Sequence, residues 1–96
     1  MAVFAQIGAT VNVAVTGTAQ TLTPTPPATN VDATVRLANI GTQTVFVNFQ
    51  ATATTANGIP ILANSVEVFA LGAAASLSVI AAAVGSTLYA TTGMGE

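Results

Sequence analysis

Ninety-six residues set the scale of one small domain, and only four of them are charged: Asp32, Arg36, Glu67 and Glu96. A single basic residue excludes an ordinary nucleic-acid footprint, which needs several phosphate-neutralising Lys or Arg side chains, and it excludes a basic amphipathic membrane helix. With neither histidine nor cysteine, the chain also lacks the means for a Ser-His-Asp triad, a thiol nucleophile, a thiolate metal site or a disulfide.

The chain opens on "MAVFAQIGAT", which has no positive n-region and no long apolar h-region of a secretory signal. Residues 1–9 are read as an N-terminal arm. Then "VNVAVTGT" alternates, with Val11, Val13 and Val15 on one face and Asn12, Ala14 and Thr16 on the other. "TPTPPATN" is a Pro-rich loop, because Pro24, Pro26 and Pro27 cannot donate to a central ladder. "VDATVRLAN" alternates again: Val31, Ala33, Val35 and Leu37 oppose Asp32, Thr34, Arg36 and Ala38. "NIGTQ" reads as a turn, and "TVFVNFQ" puts Val45, Val47 and Phe49 on the core face with Phe46 pointing away. Asn57-Gly58 reads as a tight hairpin turn, since both residues tolerate positive φ. In "VEVFAL", Val66 and Val68 are assigned to the core, which leaves Glu67 and Phe69 outside. Period two with Val and Thr enrichment predicts half-buried strands.

"ALGAAASLSVIAAAVGS", Ala70 to Ser86, carries no charge. A spanning helix needs about 20 predominantly apolar residues, and this run is shorter and diluted by Gly72, Ser76, Ser78 and Gly85. No Lys or Arg flanks it to set an orientation. Its alanines suit a helix, but Val79, Ile80 and the flanking glycines favour a strand, and no membrane span is expected. Residues 93–96 are read as a short tail. The chain is therefore expected to be a single all-β domain, a small β-sandwich or jelly-roll-like unit of 7–8 short antiparallel strands.

The acids do not make a catalytic group. Asp32 and Glu67 are a formal match to a glycosidase carboxylate pair, yet no aromatic neighbour of Asp32 would stack a sugar. They are read as solvated or rim charges. Asp32 and Arg36 lie about 13 Å apart on a strand, at ~3.3 Å per residue, so they share a face without touching. An Arg36–Glu67 pair across strands is an alternative partner for the arginine, worth about 0–1 kcal/mol if exposed. No enzyme activity, metal or cofactor is expected.

Three stretches carry a likeness: "VRLANIGTQTVFVNF", "IPILANSVEVFAL" and "STLYATTGMGE". The positions are Val35, Arg36, Asn39, Gly41, Thr42, Phe46, Val47 and Phe49, then Ile59 to Leu62, Glu67 and Phe69, then Leu88, Tyr89, Thr91, Gly93 and Gly95. In this pattern the chain resembles small virion proteins of tailed phages, of the capsid-decoration or cement type. The N-terminal third takes no part. The resemblance implies a β-sandwich subunit that binds the major capsid protein or other virion subunits, made in the host cytoplasm and resident in the virion. A charge-poor surface suits such a subunit, and homo-oligomerisation is expected with it. Arg36, Phe46, Glu67, Phe69 and Tyr89 are the expected interface residues. Two other readings stand beside this one. A receptor- or glycan-binding subunit of a tail fibre would use Tyr89 with Asn48 and Gln50. A host pilus or surface-layer subunit would be expected to show a signal peptide.

Overall fold

The computed structural model describes residues 4–24, 33–70 and 76–94. Within them lie eight strands: β1 (Ala5–Val15), β2 (Gln20–Leu22), β3 (Thr34–Gly41), β4 (Val45–Asn48), β5 (Ile59–Ile61), β6 (Ser65–Ala70), β7 (Leu77–Ala81) and β8 (Ser86–Met94). They form two four-stranded sheets, β1-β8-β3-β6 (sheet A) and β2-β7-β4-β5 (sheet B). Every pairing is antiparallel. All connections cross from one sheet to the other except β4–β5, which stays within sheet B. This is the strand order of a jelly roll, two Greek keys folded face to face.

The alternations produce this arrangement directly. Val15, Val35, Leu37, Leu88 and Ala90 of sheet A face Leu22, Val45, Val47, Ile61, Leu77, Val79 and Ala81 of sheet B in one buried cluster. Val11, Val13, Phe49 and Phe69 pack against it while half-buried. The faces expected for β1, β3 and β4 are those observed. Leu77–Ala81 is a strand, as the stretch beginning at Ala70 was expected to be; residues 71–75 lie outside the described residues. No helix among the described residues is long and apolar enough to cross a membrane. Residues 5–9, read as an arm, form the start of β1. There Ile7, Gly8 and Ala9 oppose Thr92 alone, a bulge between Gln6 and Thr10. Gly93 and Met94, read as tail, still pair with Gln6 and Ala5.

Two turn expectations need correction. Asn57-Gly58 is not a two-residue hairpin turn, because β4 and β5 are joined by residues 49–58 and neither residue has positive φ. Asn57 Oδ1 instead accepts from Thr54 N (2.8 Å) and Thr54 Oγ1 accepts from Asn57 N (3.0 Å), a reciprocal cap on the loop tip. Gly58 is required by closeness: a Cβ there would sit 2.6 Å from Phe46 Cβ. "NIGTQ" is mostly strand, with its turn beginning only at Thr42. Asn39 is fully buried on the core side of β3, and its Nδ2 donates to Gln43 O and Ile61 O, both at 2.8 Å. It thereby ties sheet A to sheet B at the end where four short turns meet. Ser86 Oγ reinforces this, accepting from Gln43 N (3.0 Å) and donating to Gln43 O (2.9 Å). Gly41 and Gly85 close the same end with φ of +145° and +134°, and a Cβ on Gly41 would collide with Gly85 O.

Candidate functional site

Strand register decides which expected interface residues come together. On the outer face of sheet A, one row runs Asn12–Tyr89–Ala38–Val66 across the four strands, and the next runs Thr10–Thr91–Arg36–Val68. On the other side of the Tyr89 row lie Ala14, Thr87 and Ile40. Ala38 is 8% exposed between its neighbours, whereas Ile40, Val66 and Tyr89 around it are 53%, 43% and 38% exposed. A small residue in the middle of the row is therefore covered by larger ones that remain open to solvent. Thr10 and Thr91 share a hydroxyl hydrogen bond of 2.6 Å at the margin. Arg36 is the one charged side chain that these rows contain. Arg36 and Tyr89 thus share one face as diagonal neighbours, within reach of a single partner surface.

Glu67 and Phe69 do not join them. Glu67 lies opposite Leu37 and Phe69 opposite Val35, both fully buried core residues, so these two side chains are on the inner side of β6. The face assignment expected for β6 is reversed: Val66 and Val68 point outward, and Phe69 packs inward with its ring 5.5 Å from that of Phe49. Both parities of "VEVFA" are rich in apolar residues, so the alternation has no clear phase. Glu67 is tolerated on the inner side because β6 is an edge strand and its carboxylate reaches solvent past the sandwich rim. Arg36 and Glu67 accordingly lie on opposite sides of sheet A and form no pair. Asp32 lies outside the described residues.

Phe46 points away from the core as expected, on the outer face of sheet B between Ile80 and Pro60. It is only half-exposed, because the chain around Gly58 lies against it. The five expected interface residues therefore divide among three places: Arg36 and Tyr89 outside sheet A, Phe46 outside sheet B, Glu67 and Phe69 along the inner side of β6. Tyr89 and Asn48 occupy the outer faces of different sheets, so the trio with Gln50 expected for a glycan site is not assembled.

A groove of about 370 Å³ opens beside sheet B, lined by Gln20, Thr21, Asn48, Gln50, Thr52 and Ser78 among others. Several of its polar atoms are committed to the fold. Asn48 Oδ1 accepts from Gln50 N (2.8 Å) and Ala51 N (2.9 Å), Ser78 Oγ from Ala53 N (2.9 Å), and Gln20 Oε1 from Thr16 N (3.2 Å). Among the described residues no three His, Cys, Asp or Glu side chains group to hold a metal ion.

This geometry has a counterpart among solved structures. One chain, from work on Bacillus endospore appendages that form "a novel family of disulfide-linked pili", matches with a TM-score of 0.62 over 96% of this chain and 87% of that one. The likeness is one of fold. Sequence identity is 19%. No protein-family model matches the sequence, and no curated protein matches it. The disulfide linkage belongs to those pili; the present chain has no cysteine.

Proposed function

We propose that this chain is a structural virion protein of a tailed phage that decorates or cements the capsid, held by subunit–subunit contacts through the outer face of sheet A. The observation that carries the reading is the cluster of Ile40, Val66 and Tyr89 around Ala38, an outward-facing apolar patch on a chain almost without charge. Paired apolar side chains on a surface of this kind suit a contact that excludes water. Arg36 beside the patch supplies a fixed point for register with a partner carboxylate or carbonyl. The resemblance of the second half of the chain to phage decoration proteins supports the destination, and jelly rolls are frequent among capsid proteins. The chain performs no chemistry in this role.

The fold likeness to an endospore pilus subunit favours a second reading, a subunit of a surface appendage. Two measurements separate the readings. Mass spectrometry of purified particles should find the protein at hundreds of copies if it is a shell component. Negative-stain images of the purified protein alone should show no filaments. Absence from particles together with filaments in isolation would replace the first reading by the second.

A further inference from the structure

We propose that the open edge of β1 pairs with the β1 of a second copy of this chain, joining two copies of sheet A into one continuous sheet across a two-fold axis. Each sheet ends in two edges: β1 and β6 for sheet A, β2 and β5 for sheet B. Three of them carry features that oppose strand addition. β5 is three residues long with Pro60 at its centre, which cannot donate to a ladder. β2 is also three residues long. β6 carries Glu67 on its inner side, and an inward charge on an edge strand blocks a neighbour from docking there. β1 differs in each respect. It runs eleven residues, Ala5–Val15, with no charge and no proline. Beyond the bulge, Thr10 to Val15 hold unbroken register with β8. Among the described residues no strand lies on the other side of it.

The side chains point the same way as the backbone. Val11 and Val13 face the core but are only half-buried, while Leu88 and Ala90 beside them on β8 are fully buried. The core is therefore open along this flank, and an added strand would cover the rims of both valines. The outer row, Thr10, Asn12 and Ala14, is exposed and uncharged.

The best occupant within this chain is β1 itself. Antiparallel self-pairing about Asn12 sets Val11 against Val13 on the core side and Thr10 against Ala14 outside. Every residue keeps its face and no charges meet. Pairing β1 with β6 would instead set a strand against Glu67, and β5 presents Pro60. A two-fold pairing also uses both open edges at once, so assembly stops at the dimer rather than growing into a fibre. Such a dimer is independent of where the protein is used. It leaves Tyr89 and Val66 uncovered, and solution mass reads the β1 edge directly, whatever the particle occupancy.

The test is the mass of the full chain by light scattering after size exclusion. The wild-type chain should be dimeric. The double variant Asn12→Lys/Ala14→Lys, changing two exposed side chains, should raise the dimer dissociation constant about tenfold or more while circular dichroism stays unchanged and Tm loses its dependence on protein concentration. Mixing it with Asn12→Glu/Ala14→Glu should restore the dimer as a mixed pair. Because the chain has no native cysteine, Asn12→Cys at the axis should give an oxidised covalent dimer, whereas Thr10→Cys and Ala14→Cys, each about 14 Å from its own copy in this register, and Thr54→Cys should not. A monomeric wild type, a dimer indifferent to the lysines, or filaments would each overturn the proposal.

Discussion

The two sheets treat their outer apolar side chains in opposite ways. Sheet B covers its own: Phe46 sits between Ile80 and Pro60, and the backbone at Gly58 closes over it so tightly that no Cβ fits. Sheet A leaves Ile40, Val66 and Tyr89 open, with only the small, buried Ala38 among them. The same composition thus yields one face completed by its own loop and one face that no described segment covers. The lesson is that scarcity of charge alone does not locate an interface. What locates it is the absence of a local segment lying over the apolar residues.

The strongest challenge to this contrast is Gly58→Val. The new side chain must displace Phe46 or the Thr54 carbonyl, 3.1 Å from the Cβ position. Thermal or urea unfolding should show a loss of about 1–3 kcal/mol, at the upper end of that range because backbone lies on one side. Phe46→Ser comes next. A half-buried ring should cost about 2 kcal/mol, roughly half of what a fully buried one costs. If that variant instead keeps its midpoint and fails only to assemble, sheet B is an interface as well and the contrast collapses. On sheet A, Val66→Ser should change folding stability by about 0.5 kcal/mol or less, as exposed edge positions usually do, and Tyr89→Ser, which uncovers Ala38, by about 1 kcal/mol. Their effect should appear as lost occupancy on particles. Arg36→Ala should change least: folding stability within about 0.5 kcal/mol, and assembly that becomes less sensitive to salt. An Arg36→Ala chain that assembles with the wild-type salt dependence would remove the arginine from the contact.

Much of the fold was legible because the valines of β1, β3 and β4 alternate cleanly with polar neighbours, and that alternation fixes which side faces the core. The same logic failed at β6 for a physical reason. Glu67 looks like a marker of the solvent face, but at a sheet edge a carboxylate reaches water from the inner side too. Asn39 was read as turn chemistry because asparagine beside "IGTQ" usually is. Nothing local says that its amide will bridge Gln43 and Ile61, since Ile61 comes from a strand in the other sheet. Asn57-Gly58 misled in a related way: the pair closes a long loop by side-chain caps and a close approach to Phe46. Of the expected interface, Arg36 and Tyr89 proved to be neighbours, a fact hidden until β3 and β8 were seen to pair. Ile40 and Val66, which complete the patch, carried no signal of their own: Ile40 stood in "NIGTQ", read as a turn, and Val66 in a run read as core.

Among the described residues, β1 has only β8 beside it: Ala5 pairs with Met94 and Val15 with Ser86. During synthesis, β1 leaves the ribosome ahead of β2 to β7 and meets its partner β8 only after all six have followed. Sheet A therefore closes late, and its closure depends on an encounter between two strands that six others separate in sequence. Topologies of this kind, dominated by contacts distant in sequence, fold in about milliseconds to seconds rather than microseconds. A chain lacking β8 altogether would leave β1 without a partner among the described strands. The stretch "TLYATTGM" of β8 thus acts as the closing step of folding for this sheet, and synthesis that stops before it releases a sticky strand in place of a paired one.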